Sequence, residues 1–326
     1  LILDLPGSST ESTALVSQKE SPVSDRHVIV GAGPVGRHVA AQLAERGSEV
    51  VVATRSGTDP RLAGVRGIRV DANDADALSA VAAGASVLYN CANPGDYTHW
   101  DATWPPLAAA LLTTAERTGA IYAITGNLYP YGPVDEPMHE GLPDAATDHK
   151  GVLRARLWSD ALAAHTAGRV RAVEVRGSDY MGTGVGANGH ISRQLPAARR
   201  GKRARVLGDP DMPHTFTDVQ DVARLLIAAA DDESSHGRLW HVPSNPPRSQ
   251  RQALGDVLAA AGLPPVPVSP IPALALRAGE LFSPMLRELK ELSYQWTRPY
   301  VLDDSAARAH FALEPTPWGE VCRRTT

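Results

Sequence analysis

The run His27-Val28-Ile29-Val30-Gly31-Ala32-Gly33-Pro34-Val35-Gly36 constrains this chain more than any other stretch. Val28, Ile29 and Val30 are β-branched and suit a strand buried on both faces. A G-x-G-x-x-G turn follows at once and opens a segment in which Val35, Val39 and Leu43 recur at helical spacing. The three glycines have separate tasks. Gly31 permits the tight turn, Gly33 removes a side chain where a pyrophosphate would meet the backbone, and Gly36 lets the helix pack closely on the strand. Phosphates held there, beside Pro34 and Val35, would meet the positive end of the helix. Strand, turn and helix in this order imply a dinucleotide-binding fold of the Rossmann type.

The rest of the chain extends that reading. Further β-branched or apolar runs at 49–53, 68–70, 86–89, 120–125, 169–175 and 239–242 alternate with Ala-rich helical stretches. Such alternation predicts an α/β fold with a doubly wound parallel sheet. At roughly 150 residues per domain, 326 residues allow this domain and a smaller C-terminal substrate lobe. We place the dinucleotide-binding domain at 27–176, with a return strand near 239–242, and the lobe mainly at 177–326. Residues 1–26 lack the basic start and apolar core of a secretory signal and read as a mobile arm. The longest uncharged stretch, 257–276, is broken by Pro264, Pro265, Pro267, Pro270 and Pro272. It reads as a proline-rich connector rather than a membrane span.

The end of the second strand speaks to the choice of dinucleotide. An NAD site places Asp or Glu there, about 20 residues past the glycines, to accept from the ribose 2′-hydroxyl. Here the residues are Thr54, Arg55 and Ser56. A guanidinium and two hydroxyls favour a 2′-phosphate, so NADP(H) is expected over NAD(H), with Arg37 as a further cation. Asp71, after the third strand, either accepts from the adenine amino group or caps the next helix.

Composition excludes other classes. Charged residues are 21% and the net charge is −4, with no basic run interleaved with aromatics, so nucleic acid is not an expected partner. The basic stretch Arg199-Arg200-Gly201-Lys202-Arg203 reads as a solvated face or an anion contact. Two cysteines, Cys91 and Cys322, match neither a disulfide framework nor a metal site and point to a reducing, cytoplasmic setting. The histidines show no metal spacing, so no metal is expected. Trp100, Trp104 and Tyr97 either wall a substrate pocket or pack a helix interface.

Four further segments carry a family likeness. They are Asn90-Cys91-Ala92-Asn93, Asn127-Leu128-Tyr129-Pro130-Tyr131-Gly132-Pro133, Val175-Arg176-Gly177-Ser178-Asp179-Tyr180-Met181-Gly182, and the stretch from His214 to Ala223. With the Gly31–Gly36 turn and Asp71, they make the chain resemble the extended or atypical short-chain dehydrogenase/reductase superfamily, in its epimerase/dehydratase branch. The likeness runs from His27 to about Pro264. It implies Ala92 and Asn93 beside the cofactor, a small hydroxy or keto substrate, and helices around 105–117 and 150–166 pairing across a homodimer.

The resemblance also implies a Tyr-x-x-x-Lys pair and a nearby Ser or Thr. The tyrosine would move a proton, and the lysine would lower its pKa and hold the cofactor ribose. Lys150 is in place, but Ala146 stands where the tyrosine belongs and Asn127 where the hydroxyl belongs. Two expectations follow. Either Tyr129 or Tyr131 carries the proton while Asn127 polarises a carbonyl, or the fold serves a non-redox isomerase, cyclase or lyase, or an NADP(H)-sensing regulator.

Overall fold

Apolar runs buried on both faces need helices above and below, and the chain supplies them in sequence order. The structure, a computed structural model, describes residues 25–326. The main sheet takes β1 (Arg26–Val30), β2 (Glu49–Thr54), β3 (Val65–Arg69), β4 (Val87–Asn90), β5 (Ile121–Asn127), β6 (Ala172–Gly177) and β10 (Leu239–His241). Their order is β3-β2-β1-β4-β5-β6-β10, and every pairing is parallel. The order reverses beside β1, because the chain moves outward through β2 and β3 and then returns to β4. A crevice opens there, beyond the carboxyl ends of the strands.

The pleat sorts β1 and β2 between two cores. Ile29, Val50 and Val52 face α1 (Pro34–Glu45) and α6 (Val219–Asp231). Val28, Val30 and Val51 face α2 (Ala75–Ala82), α3 (Trp100–Thr118) and α4 (His149–Thr166) on the other side. Val35, Val39 and Leu43 form the buried stripe of α1, as their spacing predicts. Each such side chain stabilises the fold by about 1.5–3 kcal/mol through apolar area removed from water.

The substrate lobe is assembled from short pieces. β7 (Asp179–Met181) pairs with β9 (Phe216–Asp218), and β8 (Ala204–Val206) pairs with β11 (Val268–Pro270). α5 (Leu195–Ala198), α7 (Gln250–Ala260) and α12 (Trp318–Thr325) share a third core with them. The chain does not stay in this lobe after residue 176: α6 and β10 return to the main sheet, and α11 (Ser305–Phe311) packs on β10. α8 (Ala273–Phe282), α9 (Pro284–Glu291) and α10 (Tyr294–Thr297) follow β11, and α9 packs on segment 97–99.

Two expectations change. Segment 257–276 is not a connector throughout, because Val257 and Leu258 are buried in α7 and Val268 belongs to β11. Its prolines occupy permissive places instead: Pro264, Pro265 and Pro267 lie between elements, Pro270 ends an edge strand, and Pro272 precedes α8. The expected arm at 1–26 lies outside the described residues except for its end, where Arg26 already opens β1. Among the described residues no helix is long and apolar enough to cross a membrane.

Candidate active site

The crevice at the sheet reversal holds about 930 Å³. Its floor is backbone. Gly31 has φ +103, and a β-carbon there would lie 2.7 Å from the Cys91 carbonyl oxygen and 2.8 Å from the Ala92 nitrogen. A β-carbon on Gly36 would run into the Gly31 carbonyl oxygen, whereas one on Gly33 would meet nothing within 4 Å. The floor is therefore closed beneath Gly31 and open above Gly33. The N-terminus of α1 has no side-chain cap and no acidic residue in its first turn, so its positive end is free for an anion. These features fit the phosphates of a dinucleotide.

Around that floor, Pro34, Val35, Thr54, Arg55, Ser56, Asp71, Ala92 and Asn93 all line the crevice. Arg37 does not. Asp71 accepts from the backbone and side-chain amides of Asn73, at 3.0 and 2.9 Å. The cap of α2 is instead Asp74, which accepts from the Asp76 and Ala77 backbone N–H groups, so the capping reading of Asp71 falls away. Cys91 is a packing residue: burial pushes its thiol up to about 12, far from a reactive thiolate.

The candidate proton carriers separate. Asn127 lines the crevice and accepts the Tyr129 backbone N–H at 3.2 Å, which leaves its side-chain amide hydrogens free. Tyr129 also lines the crevice, and its hydroxyl is 3.0 Å from that of Tyr97, another lining residue. Burial holds Tyr129 well above the ordinary tyrosine range and raises Tyr97 as well, so both are phenols at neutral pH. Tyr131 is elsewhere. It is buried, its hydroxyl donates to His241 Nε2 at 2.7 Å, and the Arg176 guanidinium lies 4.9 Å from its ring centroid. The cause is local, because residues 129–131 form a 3-10 turn, in which side chains two apart point to different sides. The expectation that Tyr131 faces a substrate is therefore not met.

Lys150 is also displaced from its expected place. It is fully buried in the first turn of α4 and does not line the crevice. Its ammonium donates to Glu288 and Glu291 of α9 and sits 5.9 Å from the centroid of the Tyr97 ring. Ala146 donates its backbone N–H to the Pro130 carbonyl at 2.9 Å, and its methyl packs where Gly132 and Gly151 leave room. His149, Glu288 and Glu291 offer a metal-like cluster, but the Lys150 ammonium already makes hydrogen bonds with both carboxylates.

Several lining residues were not singled out as site residues, although Asp179 and its partner His214 lie in two of the segments that carry the likeness. Arg154 stands one helical turn beyond Lys150, donates to the Thr125 carbonyl at 2.9 Å and lies 4.5 Å from the Trp104 ring centroid. Its i+4 spacing from Lys150 was a usable signal. Asp179 is approached by His214 Nε2 at 2.8 Å and by His190 Nε2 at 3.4 Å. Burial alone would raise Asp179, but the two histidines outweigh it and hold the carboxyl at about 2. Burial pushes His190 down to about 4. Met285, Leu289, Leu292, Trp296 and Tyr300 complete the far wall. No local pattern links these to the glycine turn.

Comparison with known proteins gives a family and a fold. Residues 27–242 match the model of the NAD dependent epimerase/dehydratase family. No curated protein matches the chain in sequence. Among solved structures it is similar to MoeE5 in complex with UDP-glucose and NAD, with 20% identity, 92% of this chain and 97% of that chain covered, and a TM-score of 0.75. It is also similar to dTDP-glucose 4,6-dehydratase from Bacillus anthracis in complex with NAD, with 14% identity, 92% and 94% covered, and a TM-score of 0.74. UDP-N-acetylglucosamine 4-epimerase from Methanobrevibacter ruminantium gives 14% identity, 92% and 96% covered, and a TM-score of 0.74. At these identities the structures share the fold.

Proposed function

The chain belongs to the NAD dependent epimerase/dehydratase family, and we propose that it binds NADP(H) in preference to NAD(H) and acts on a small hydroxy or keto substrate with a non-standard proton carrier. The observation that carries this reading is the Tyr97–Tyr129 hydroxyl pair in the same crevice as the open glycine floor. When bound, the dinucleotide supplies reversible hydride transfer. The chain's own residues supply the rest. The Gly31–Gly36 turn and the uncapped α1 terminus receive the pyrophosphate, and Ala92 and Asn93 border the cofactor. Thr54, Arg55 and Ser56 receive the 2′-phosphate, and Asp71 accepts from adenine. The similar structures hold NAD; the preference for a 2′-phosphate proposed for this chain is drawn from its own Thr54, Arg55 and Ser56.

In the substrate half, Tyr97 donates its hydrogen to the Tyr129 oxygen, which leaves the Tyr129 hydrogen for a substrate carbonyl. Asn127 donates a side-chain amide hydrogen to the same oxygen, which stabilises charge developing there. The UDP-sugars named for the similar structures are the first substrates to try. Pairing of two copies through α3 and α4 belongs to the same proposal. A second reading, a non-redox enzyme or a sensor, draws on Ala146 and on the engagement of Lys150 by Glu288 and Glu291.

The test is a fluorescence titration of the full chain with NADPH and NADH, followed by a panel of keto compounds and UDP-sugars with nicotinamide absorbance recorded. We expect NADPH to bind more tightly by about tenfold, or about 1.4 kcal/mol, and Arg55→Ala to bring the ratio near one. An unaltered ratio would remove Arg55 from the phosphate site. Binding with no absorbance change and no product would favour the second reading, and no binding would overturn both.

A further inference from the structure

Lys150 is a fully buried ammonium with two carboxylate partners, and both partners come from one helix far away in sequence. That helix, α9, has no fully buried residue of its own. Its apolar side chains Met285, Leu286 and Leu289 are only partly buried. Glu288 and Glu291 are three apart and share one face, which meets the first turn of α4. There His149 adds to the grip, with its Nδ1 2.8 Å from Glu291 Oε2 and its backbone N–H donating to the same oxygen at 3.2 Å.

The adjoining face of α9 does something different. Met285 and Leu289, four apart, line the same crevice as Tyr97 and Tyr129, and Leu292 continues the row. One helix thus presents acid to α4 and apolar side chains to the substrate half. A buried ion pair with this much hydrogen bonding is costly to break from one side, because the remaining charges lose their partners.

We infer that Lys150 is a positioning residue which latches α9 through Glu288 and Glu291, so that Met285 and Leu289 form the wall that reads an apolar part of the substrate. The ammonium acts through the helix it holds. Its effect then falls on the substrate half and leaves the dinucleotide half alone. This is opposite in sign to a lysine that binds the cofactor ribose. The inference rests on the proposed function for the substrate half of the crevice and for the identity of the cofactor probe.

The experiment uses the full chain and two variants, Lys150→Met and the double variant Glu288→Gln with Glu291→Gln. Backbone hydrogen exchange is followed across 284–292, and NADPH affinity is titrated in parallel. We expect exchange in 284–292 to quicken at least tenfold in both variants, while the Kd for NADPH changes less than twofold. Exchange that stays at the wild-type rate in the double variant overturns the latch. So does a Lys150→Met protein with unchanged exchange in 284–292 and NADPH affinity weakened tenfold or more. If Lys150→Met does not fold, the double variant decides alone: the substituted amide oxygens still accept hydrogen bonds from the buried Lys150 ammonium, while its ion pairs to α9 are gone. Failure of the wild-type chain to bind NADPH would sink the proposed function while leaving the exchange comparison intact.

Discussion

The two halves of the crevice are built from different materials. The floor of the dinucleotide half is backbone: a glycine turn, a helix terminus and strand ends, with Gly31 to Gly36 within six residues of one another, and side chains enter only at its rim, at Thr54, Arg55, Ser56 and Asp71. The substrate half is side chains drawn from β5, β7, α3, α4, α9 and α10, held by contacts across long sequence separations such as Lys150 to Glu291. Backbone geometry tolerates almost no substitution where it is tight. A side-chain wall can be rebuilt one residue at a time, which is how one fold hosts many chemistries.

The sharpest way to break this comparison is Gly31→Val. A side chain at φ +103 is strained, and its β-carbon would press on Cys91 and Ala92 backbone atoms. We expect a loss of ~3 kcal/mol or more in stability, together with dinucleotide binding, by denaturant unfolding and NADPH titration. A variant that still binds would show the floor to be adaptable.

Next come the two tyrosines, which are alike in sequence and unlike in place. Tyr129→Phe should slow turnover about 100-fold with cofactor affinity unchanged, if it supplies the proton. Tyr131→Phe leaves a buried His241 nitrogen without its donor and should cost about 1–3 kcal/mol of stability with turnover spared. Equal turnover effects from both would remove the distinction between a tyrosine in the substrate half and one outside the crevice.

The smallest expected effect is a pH trend. His190, in the substrate half, and His241, under Tyr131, are pushed by burial down to about 4. Unfolding therefore takes up protons on both as pH falls from about 6.5 toward 4, and stability declines across that window. Asp218 works the other way: burial raises it to about 6, so the folded state takes up a proton there and regains part of the loss. Asp179 enters only lower. Its stabilising share is present above the unfolded value and is lost as pH falls through about 2. The share of His190, His241 and Asp218 in the change from pH 7 to pH 5 is a decline on the order of 2 kcal/mol in urea unfolding, opposed by the other carboxyls that burial raises, Glu140, Glu174 and Asp221 among them. His190→Asn should flatten the slope, and an unchanged slope would place the proton uptake elsewhere.

The succession of strands along the chain, the glycine turn, the stripe on α1 and the absence of an acid after β2 were all determined by the sequence on its own. Each is a local property: a run of β-branched residues, a spacing of four, or a residue type at the end of a strand. Only tertiary structure decided the rest. Tyr129 and Tyr131 stand two apart with the same chemistry, and the hand of one 3-10 turn sends one into the crevice and the other to His241. Asp179 gained its partners because β7 and β9 pair, bringing residue 214 beside residue 179. Lys150 was legible as a motif lysine, yet its partners lie on a helix more than 130 residues later. Spacing along a chain reports which side chains share a face. It does not report which faces meet, because that depends on how the elements pack.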